Sequence, residues 1–492
     1  MKLGIVGAGT MGSGIAVCAL TAGFEVCLVD LIPDKLTKAR TFIDGHLNRA
    51  GKRDAIRLLT LTNQNSALAD REVVIEAAIE DRAVKQQVFR ELAVTCSPGC
   101  IFATNTNTIP VTVIASVVQN PERVIGMHFF NPAPLVTLVE VITTAKTSRQ
   151  TRDAILQLAR QMGKTPVSMP DMPGFLVNRV VQAYTLESLR IVSDGVATPQ
   201  QVDTILELAG GFKMGPFRMM DLMGIDVSLS AAQNIYEQTF NEPRYRPSLL
   251  QAQAIHNGWL GRKTGRGFYG YGHEESPFAL PTVPPVKPGK EKIYALFRGW
   301  SPLVKRAYAS GYSLVDDRVD AGSPPNAPMR TEELVDGLNF GDLHVSNTVE
   351  DVIAYDGLLM DTAKAITLSA GRRVSMMDRQ RAEAFMNHMG LAVVWVNHVP
   401  GHILSRVLCQ IINEAAFAMG DRVVEDERLL DTAIKLGANT PAGPFEWLRR
   451  CGITAIRTRL NSLYDYYQEE RYRMAPYLKR VPEEQERPRF EE

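Results

Sequence analysis

The sequence predicts an α/β domain on a parallel, helix-covered sheet, then an all-α domain, then a degenerate α/β segment and a second copy of the all-α domain. Three observations carry this reading: a glycine cluster between a first apolar run and a helical stretch, short apolar runs alternating with helical segments, and an internal repeat.

The first apolar run, Lys2 to Val6, breaks at glycines before a helical stretch that begins near Met11. A second run, Glu25 to Val29, ends at Asp30; a third, Val73 to Ala77, ends near Glu80; a fourth, Cys100 to Ala103, ends at Thr104. The stretch Pro33 to Asn65 is charged and helix-prone and reads as a helical excursion from the sheet. From Pro173 onward Phe175, Val177, Val180, Val181, Tyr184, Leu186 and Leu189 recur at helical spacing. Residues 172 to 223 match residues 399 to 450: Pro173-Gly174 answers to Pro400-Gly401 and Gly215-Pro216-Phe217 to Gly443-Pro444-Phe445, an offset of 227 drifting to 228. The expected layout is therefore an α/β domain over 1–171, an all-α domain over 172–275, a Pro-rich linker over 276–289, a degenerate α/β segment without a cofactor over 290–395, a second all-α domain over 396–480 and a charged tail over 481–492.

At 492 residues the chain exceeds the roughly 250 to 300 at which one core stops growing. Its 54 basic residues cancel 54 acidic ones, so no basic excess points to nucleic acid. Six cysteines form no C-x-x-C pair and read as reduced thiols, with no metal site expected. Leu3 to Phe24 is uncharged, but its glycines and the acids that follow argue against a signal peptide, and no other run spans a bilayer. The expectation is a cytoplasmic protein with no membrane partner.

Gly7-Ala8-Gly9-Thr10-Met11-Gly12 stands between the first strand and the first helix, where a dinucleotide fingerprint belongs. The first glycine permits the tight turn, the second a close approach to a pyrophosphate, and the third close packing of helix on sheet; the helix start offers unpaired N–H groups to the anion. Asp30, eighteen residues past Gly12, is placed to bind a ribose 2′-hydroxyl and to repel a 2′-phosphate. The cofactor expected of this Rossmann-type domain is NAD rather than NADP. Glu80, Lys85 and Asn105 follow the third and fourth strands at the carboxyl edge, where ligands of such sheets bind; solvated loop positions are the alternative.

Taking a hydroxyl proton as hydride departs suits a histidine, whose pKa ordinarily lies near neutrality. Of eight histidines, His128 ends a strand-like run in VIGMHFFNPAP, and Glu140 sits in the next run, LVTLVEV, twelve positions on. Two strands joined by the Asn131 to Pro134 turn would bring them together, although a core histidine is the plainer reading of His128 taken alone.

GAGTMGSGIA, EAAIEDRAVK, HFFNPAPLVTLVEV, PGFLVNR, MGPFRMMDLMG and KTGRGFYGY, in this order, resemble the 3-hydroxyacyl-CoA dehydrogenase family over residues 1 to about 272. The duplicated α domain is similar to the longer bacterial members, the 3-hydroxybutyryl-CoA and 3-hydroxyadipyl-CoA dehydrogenases. The resemblance implies His128 as catalytic base, Glu140 as its acidic partner and Asn178 as a contact to the reacting oxygen. It further implies cofactor-site roles for Glu80, Lys85, Asn105 and Asn131, a lysine of the closing motif in Lys263, and reversible oxidation of an (S)-3-hydroxyacyl-CoA with NAD. Where the family reads N-T-S, this chain reads Asn105-Thr106-Asn107, so the expected substrate-contacting serine is Asn107, and a shifted substrate position is anticipated. Lys35 and Lys38, with Arg40, are candidates for CoA phosphates. The second copy has Ser405 for Asn178 and no HFFNP; it reads as inactive and as packing on the first copy as a pseudo-dimer, with pairing of two chains as a homodimer left open. The rival readings are a dehydrogenase of a free hydroxy acid such as a sugar acid, and a non-catalytic NAD-binding homologue.

Overall fold

The computed structural model describes residues 1–272, 292–295, 306–307, 310, 337–342, 350 and 352–482. The Pro-rich linker and nearly all of the charged tail lie outside them. Two compact units are formed, one from Met1–Val181, Asn234–Asn241 and Ala418–Gly443, the other from Gln182–Gln233, Glu242–Phe417 and Pro444–Glu492. Each contains parts of both sequence repeats.

The first unit holds eight strands: β1 (Lys2–Val6), β2 (Glu25–Val29), β3 (Leu59–Thr62), β4 (Val73–Glu76), β5 (Ile101–Thr104), β6 (Val124–Phe129), β7 (Leu138–Thr143) and β8 (Thr165–Pro170). Their order is β3-β2-β1-β4-β5-β6-β7-β8, so the chain reverses direction across the sheet at β1 and β4. Every neighbouring pair is parallel except β6 and β7. Helix α1 (Thr10–Thr21) buries nine consecutive residues, Gly12 to Leu20, because it lies against β1 and β2 on one side and under further chain on the other. Between β2 and β4 the predicted excursion is only partly helical. Helix α2 (Pro33–Arg49) and a 3₁₀ turn over Arg53–Leu58 lead back into the sheet as the edge strand β3. An edge strand of four residues with Thr at alternate positions carries too weak an apolar signal to stand out. Helices α3 (Arg82–Thr95), α4 (Val111–Ala115) and α5 (Arg149–Gln161) complete the layers; Asp81 caps α3 by accepting from Val84 N, and Asp171 accepts from Val111 N and Thr112 N at the start of α4.

The first repeat contributes α6 (Val177–Ser193), α7 (Pro199–Leu208), α8 (Pro216–Met223), α9 (Ile225–Gln238) and α10 (Leu249–His256). Among the described residues the second unit has five strands, β9 (Lys292–Ala295), β10 (Gly337–Asp342), β11 (Ile353–Tyr355), β12 (Ala365–Ala370) and β13 (Ala392–Trp395), in the order β13-β12-β11-β10-β9. Only β11 and β12 run antiparallel. This repeats the order and sense of β8-β7-β6-β5-β4, down to register: Leu138 faces Thr165 and Ala365 faces Ala392, both pairs 227 residues apart. Helix α11 (Met376–His388) stands between β12 and β13 as α5 does between β7 and β8. Among the described residues nothing answers to β1, β2, β3 or the glycine turn.

The second repeat supplies α12 (Leu404–Gly420), α13 (Glu427–Ala438), α14 (Pro444–Cys451), α15 (Ile453–Tyr467) and α16 (Pro476–Arg480). One local device recurs in both repeats. Asp203 accepts from Phe217 N and Arg218 N at the start of α8, and Gly215 must be glycine because a Cβ there would strike that carboxylate; Gly443 stands against Asp431 in the same way.

Candidate active site

At the carboxyl end of β1 the backbone turns at Gly7, whose φ of +104° favours glycine and where a Cβ would lie 2.5 Å from Ala77 O. A Cβ on Gly12 would run into Gly7 O, so helix and turn meet at backbone distance. Gly9 faces open space. Thr10 and Met11 open α1, which has no side-chain cap and no acid in its first turn, leaving its N–H groups for an anion. Asp30 Oδ2 accepts from Ala8 N at 2.8 Å and Oδ1 from Ile32 N at 3.0 Å, holding the carboxylate beside the turn. These residues fit a dinucleotide: an open glycine face, a free helix start and an acid at the end of the neighbouring strand.

Beside this turn lies a network the sequence reading did not find. Glu76, wholly buried inside β4, accepts from Lys85 Nζ at 2.8 Å, Ala78 N at 2.7 Å and Thr104 Oγ1 at 2.7 Å. Lys85 is itself buried and reaches Glu80 at 3.5 Å, so neither it nor Asn105, also buried, is a solvated loop residue. The Lys85 ammonium sits between two carboxylates, where it braces Glu80. Glu80 Oε1 accepts from Thr106 Oγ1 at 2.6 Å, Asn107 N at 2.8 Å and Thr108 N at 3.0 Å. Burial pushes the Glu80 carboxyl up, but Lys85 and those hydrogen bonds outweigh it and hold the group below the ordinary carboxylate value. The result is a braced loop after β5. An acid inside an otherwise apolar strand, Val-Val-Ile-Glu, was the available sign of Glu76.

His128 on β6 and Glu140 on β7 are directly cross-strand partners. His128 Nδ1 lies 2.7 Å from Glu140 Oε2, both side chains almost fully buried. Glu140 Oε1 accepts from Val177 N at 2.8 Å and Leu176 N at 3.2 Å at the start of α6. The other ring nitrogen, Nε2, lies 2.8 Å from Asn107 Oδ1, and Asn107 is exposed above the buried ring. Asn178 Nδ2 donates to Asn107 O at 3.3 Å, and Asn105 Oδ1 accepts from Phe129 N at 2.8 Å. Phe130 and Phe175 flank the imidazole. The structure thus brings His128, Glu140, Asn107 and Asn178 into one cluster. Asn131 is exposed in the turn between β6 and β7, ahead of a cis bond to Pro132.

Lys35 and Lys38 are exposed on α2, and Lys38 lines an open cavity of about 450 Å³ with Phe42, His46 and Arg49. Lys263 belongs to the second unit, where its ammonium grips both carboxylate oxygens of Asp226. No group of three His, Cys, Asp or Glu side chains among the described residues is placed to hold a metal, and no described helix is long and apolar enough to cross a membrane. All six cysteines are free thiols.

In the second unit the positions corresponding to the cluster are filled differently. Thr367 on β12 stands where β7 has Glu140, and Asp356, whose N–H donates to Thr367 O, stands where β6 has His128. Asp356 accepts from Ser405 N at 2.7 Å and Ser405 Oγ at 2.6 Å. His402, buried, has its ring nitrogens on Thr367 and Ser369 at 3.0 and 2.7 Å. The cavity left there is about 10 Å³, room for one water at most.

The family model described as "3-hydroxyacyl-CoA dehydrogenase, NAD binding domain" matches residues 2–172, and that described as "3-hydroxyacyl-CoA dehydrogenase, C-terminal domain" matches 174–271 and again 401–490. The chain is 32% identical to the 3-hydroxyadipyl-CoA dehydrogenase of Escherichia coli K12 over 96% of each chain. It is 40% identical to a 3-hydroxybutyryl-CoA dehydrogenase of Mycobacterium tuberculosis, over 55% of this chain and 98% of that one. A crystal structure of 3-hydroxybutyryl-CoA dehydrogenase from E. coli K12 matches with a TM-score of 0.80, 31% identity and 97% coverage of both chains. By sequence along its whole length and by fold, the chain belongs to the 3-hydroxyacyl-CoA dehydrogenase family.

Proposed function

We propose that the chain interconverts an (S)-3-hydroxyacyl-CoA and the 3-oxoacyl-CoA with NAD, using His128 as base. The observation that carries this is the placement of one imidazole between a buried carboxylate on Nδ1 and an exposed, exchangeable amide on Nε2. Glu140 holds the proton on Nδ1, which leaves the Nε2 lone pair to take the hydroxyl proton. The imidazolium then formed is stabilised by the same carboxylate, itself pinned by two backbone N–H groups. NAD bound at the glycine turn supplies the hydride acceptor. Asn178, held through Asn107 O, offers an amide donor to the reacting oxygen.

Asn107 occupies the nitrogen a substrate hydroxyl would need. Its amide suits either protonation state of the ring, accepting from a protonated Nε2 through oxygen or, turned over, donating to a bare one through nitrogen. Entering substrate takes over that hydrogen bond, so binding costs one exchange and leaves no buried group unpaired. The CoA reading over a free hydroxy acid is favoured by the cationic cavity on α2, where Lys38 and Arg49 flank an aromatic ring. A short or dicarboxylic acyl group agrees with the substrates for which the relatives are named.

Reciprocal contacts support a pseudo-dimer of the repeats within one chain. Arg179 pairs with Asp421 and Arg406 with Asp194, while Glu187 accepts from Tyr472 and Glu414 from Tyr245. Each pair exchanges the roles of residues 227 positions apart, as an isologous interface requires. The test of function is reduction of acetoacetyl-CoA and a dicarboxylic 3-oxoacyl-CoA by NADH. Turnover that is lost in His128→Ala is expected; no turnover of any 3-oxoacyl-CoA by the wild type would overturn the proposal.

A further inference from the structure

The segment Ala418–Gly443 belongs to the second repeat by sequence but to the first unit by packing. Helix α13 ends against the two elements that meet at Glu140. A Cβ on Gly437 would lie 2.7 Å from Leu138 Cδ2 and 2.9 Å from Val177 Cγ2, closer than carbon atoms approach. Leu138 is on β7, two residues before Glu140 and on the same face; Val177 begins α6 and donates its N–H to Glu140. Both side chains are buried, and valine has little rotameric freedom, so added bulk at 437 presses on β7 through Leu138 and on the start of α6 through Val177. Nearby, Arg179, one residue past Asn178, is 5% exposed and ion-paired with Asp421 at 2.7 Å.

The other repeat offers a natural comparison. Ala209, the counterpart of Gly437 in the first repeat, lines the small cavity with Ala365 and Leu404, the counterparts of Leu138 and Val177. Where the strand carries alanine, the helix carries alanine; where the strand carries leucine, the helix carries glycine. The leucine–glycine pairing belongs to the half that holds the imidazole.

We propose that Gly437 and Asp421 of the second repeat are positioning residues for the His128–Glu140 pair. The second repeat thereby acts on the catalytic half of its own chain although its own counterpart site is closed. This rests on the function proposed above, and the tests separate the two.

In the full-length protein, Gly437→Ala should lower kcat about tenfold, since misplacement approaching 1 Å can cost as much as a hundredfold. NADH binding by fluorescence titration should stay within twofold, because the glycine turn is untouched. Adding Leu138→Ala, which copies the Ala209–Ala365 pairing, should restore kcat to within threefold. Asp421→Asn, a milder change at a half-exposed carboxylate, should lower kcat several-fold with KM for NADH unchanged, and it decides the question if Gly437→Ala does not fold. The proposal falls if the wild type is active while Asp421→Asn and any folded Gly437→Ala match it, or if kcat and NADH affinity fall together without rescue. A wild type without activity would sink the functional reading instead.

Discussion

Replacing Glu140 by Gln separates the charge of this residue from its shape, and the structure dictates which way the new amide must face. Glu140 Oε1 accepts two backbone N–H groups at the start of α6, whereas Oε2 meets a single ring nitrogen. Turning the amide nitrogen toward Leu176 and Val177 would orphan two buried donors, at about 1–3 kcal/mol each. The amide nitrogen therefore faces His128 Nδ1, which must become an acceptor, and the ring proton moves to Nε2. A base with its proton already on the reacting nitrogen has no lone pair for the alcohol. With the wrong tautomer imposed and the compensating charge removed, kcat should fall roughly a thousandfold, equivalent to about 4 kcal/mol of transition-state stabilisation. The assay is NAD-linked oxidation of (S)-3-hydroxybutyryl-CoA under saturating conditions, the direction in which His128 must take the hydroxyl proton, with NAD affinity measured separately and expected to be unchanged. A Glu140→Gln enzyme with kcat within threefold of wild type would refute the tautomer argument.

Asn107→Ser should shift relative kcat/KM across a panel of acyl-CoA substrates by severalfold, because the shorter hydroxyl no longer covers His128 Nε2; an unchanged panel would remove Asn107 from the substrate site. Asp30→Ala should weaken NADH binding by about tenfold and narrow the preference over NADPH, measured by fluorescence titration, since an acid at the end of the second strand of such a sheet is placed to bind a ribose hydroxyl and to repel a phosphate. Glu187, fully buried, is subject to burial that would raise its carboxyl, but Arg406, Arg471, Arg190 and the Tyr472 hydroxyl draw it down to about 2 from an ordinary 4.5. A depressed folded value means stability present above pH 4.5 and lost as pH falls toward 2, on the order of 3 kcal/mol. Glu187→Gln should therefore lower the unfolding midpoint at pH 7 and show a flatter decline over that acid window.

The parts legible in the sequence are those that fold locally. Strand, glycine turn, helix and Asp30 lie within thirty consecutive residues, and local steric rules dictate each step. His128 and Glu140 were within reach for the same reason, since a short connection between two apolar runs sets their register. Asn107 was recognised as a departure from the family pattern, but its contact with His128 Nε2 depends on β5 lying beside β6, a pairing across a helix that no local rule reports. Lys85 stands at the carboxyl edge of the sheet and the family resemblance implies it for the cofactor site, but the buried Glu76 that pins it from behind lies nine residues earlier on a strand and is signalled by no spacing rule. The role of Gly437 was out of reach altogether, as its partners lie hundreds of residues away and a glycine near a helix end usually marks the end and nothing more.

The reciprocal pairs permit a stronger test of how the two repeats are related. In a chain cut after Tyr271, Glu187 loses Arg406 and Tyr472 and keeps Arg190 at 3.5 Å, a long contact that leaves a fully buried carboxylate poorly compensated. The first repeat nevertheless carries both halves of every pair: Arg179 and Asp194, Tyr245 and Glu187. Two truncated chains related by a two-fold axis would satisfy one another, so the expected product is a dimer rather than a stable monomer, as light scattering would show. That dimer would set Ala209 of one chain, in place of Gly437, against Leu138 of the other. It should therefore turn over more slowly than the full chain, and Ala209→Gly in the truncated protein should recover the difference. A stable monomer of full activity would break the reasoning at its first step, and a dimer indifferent to Ala209→Gly would break it at the second.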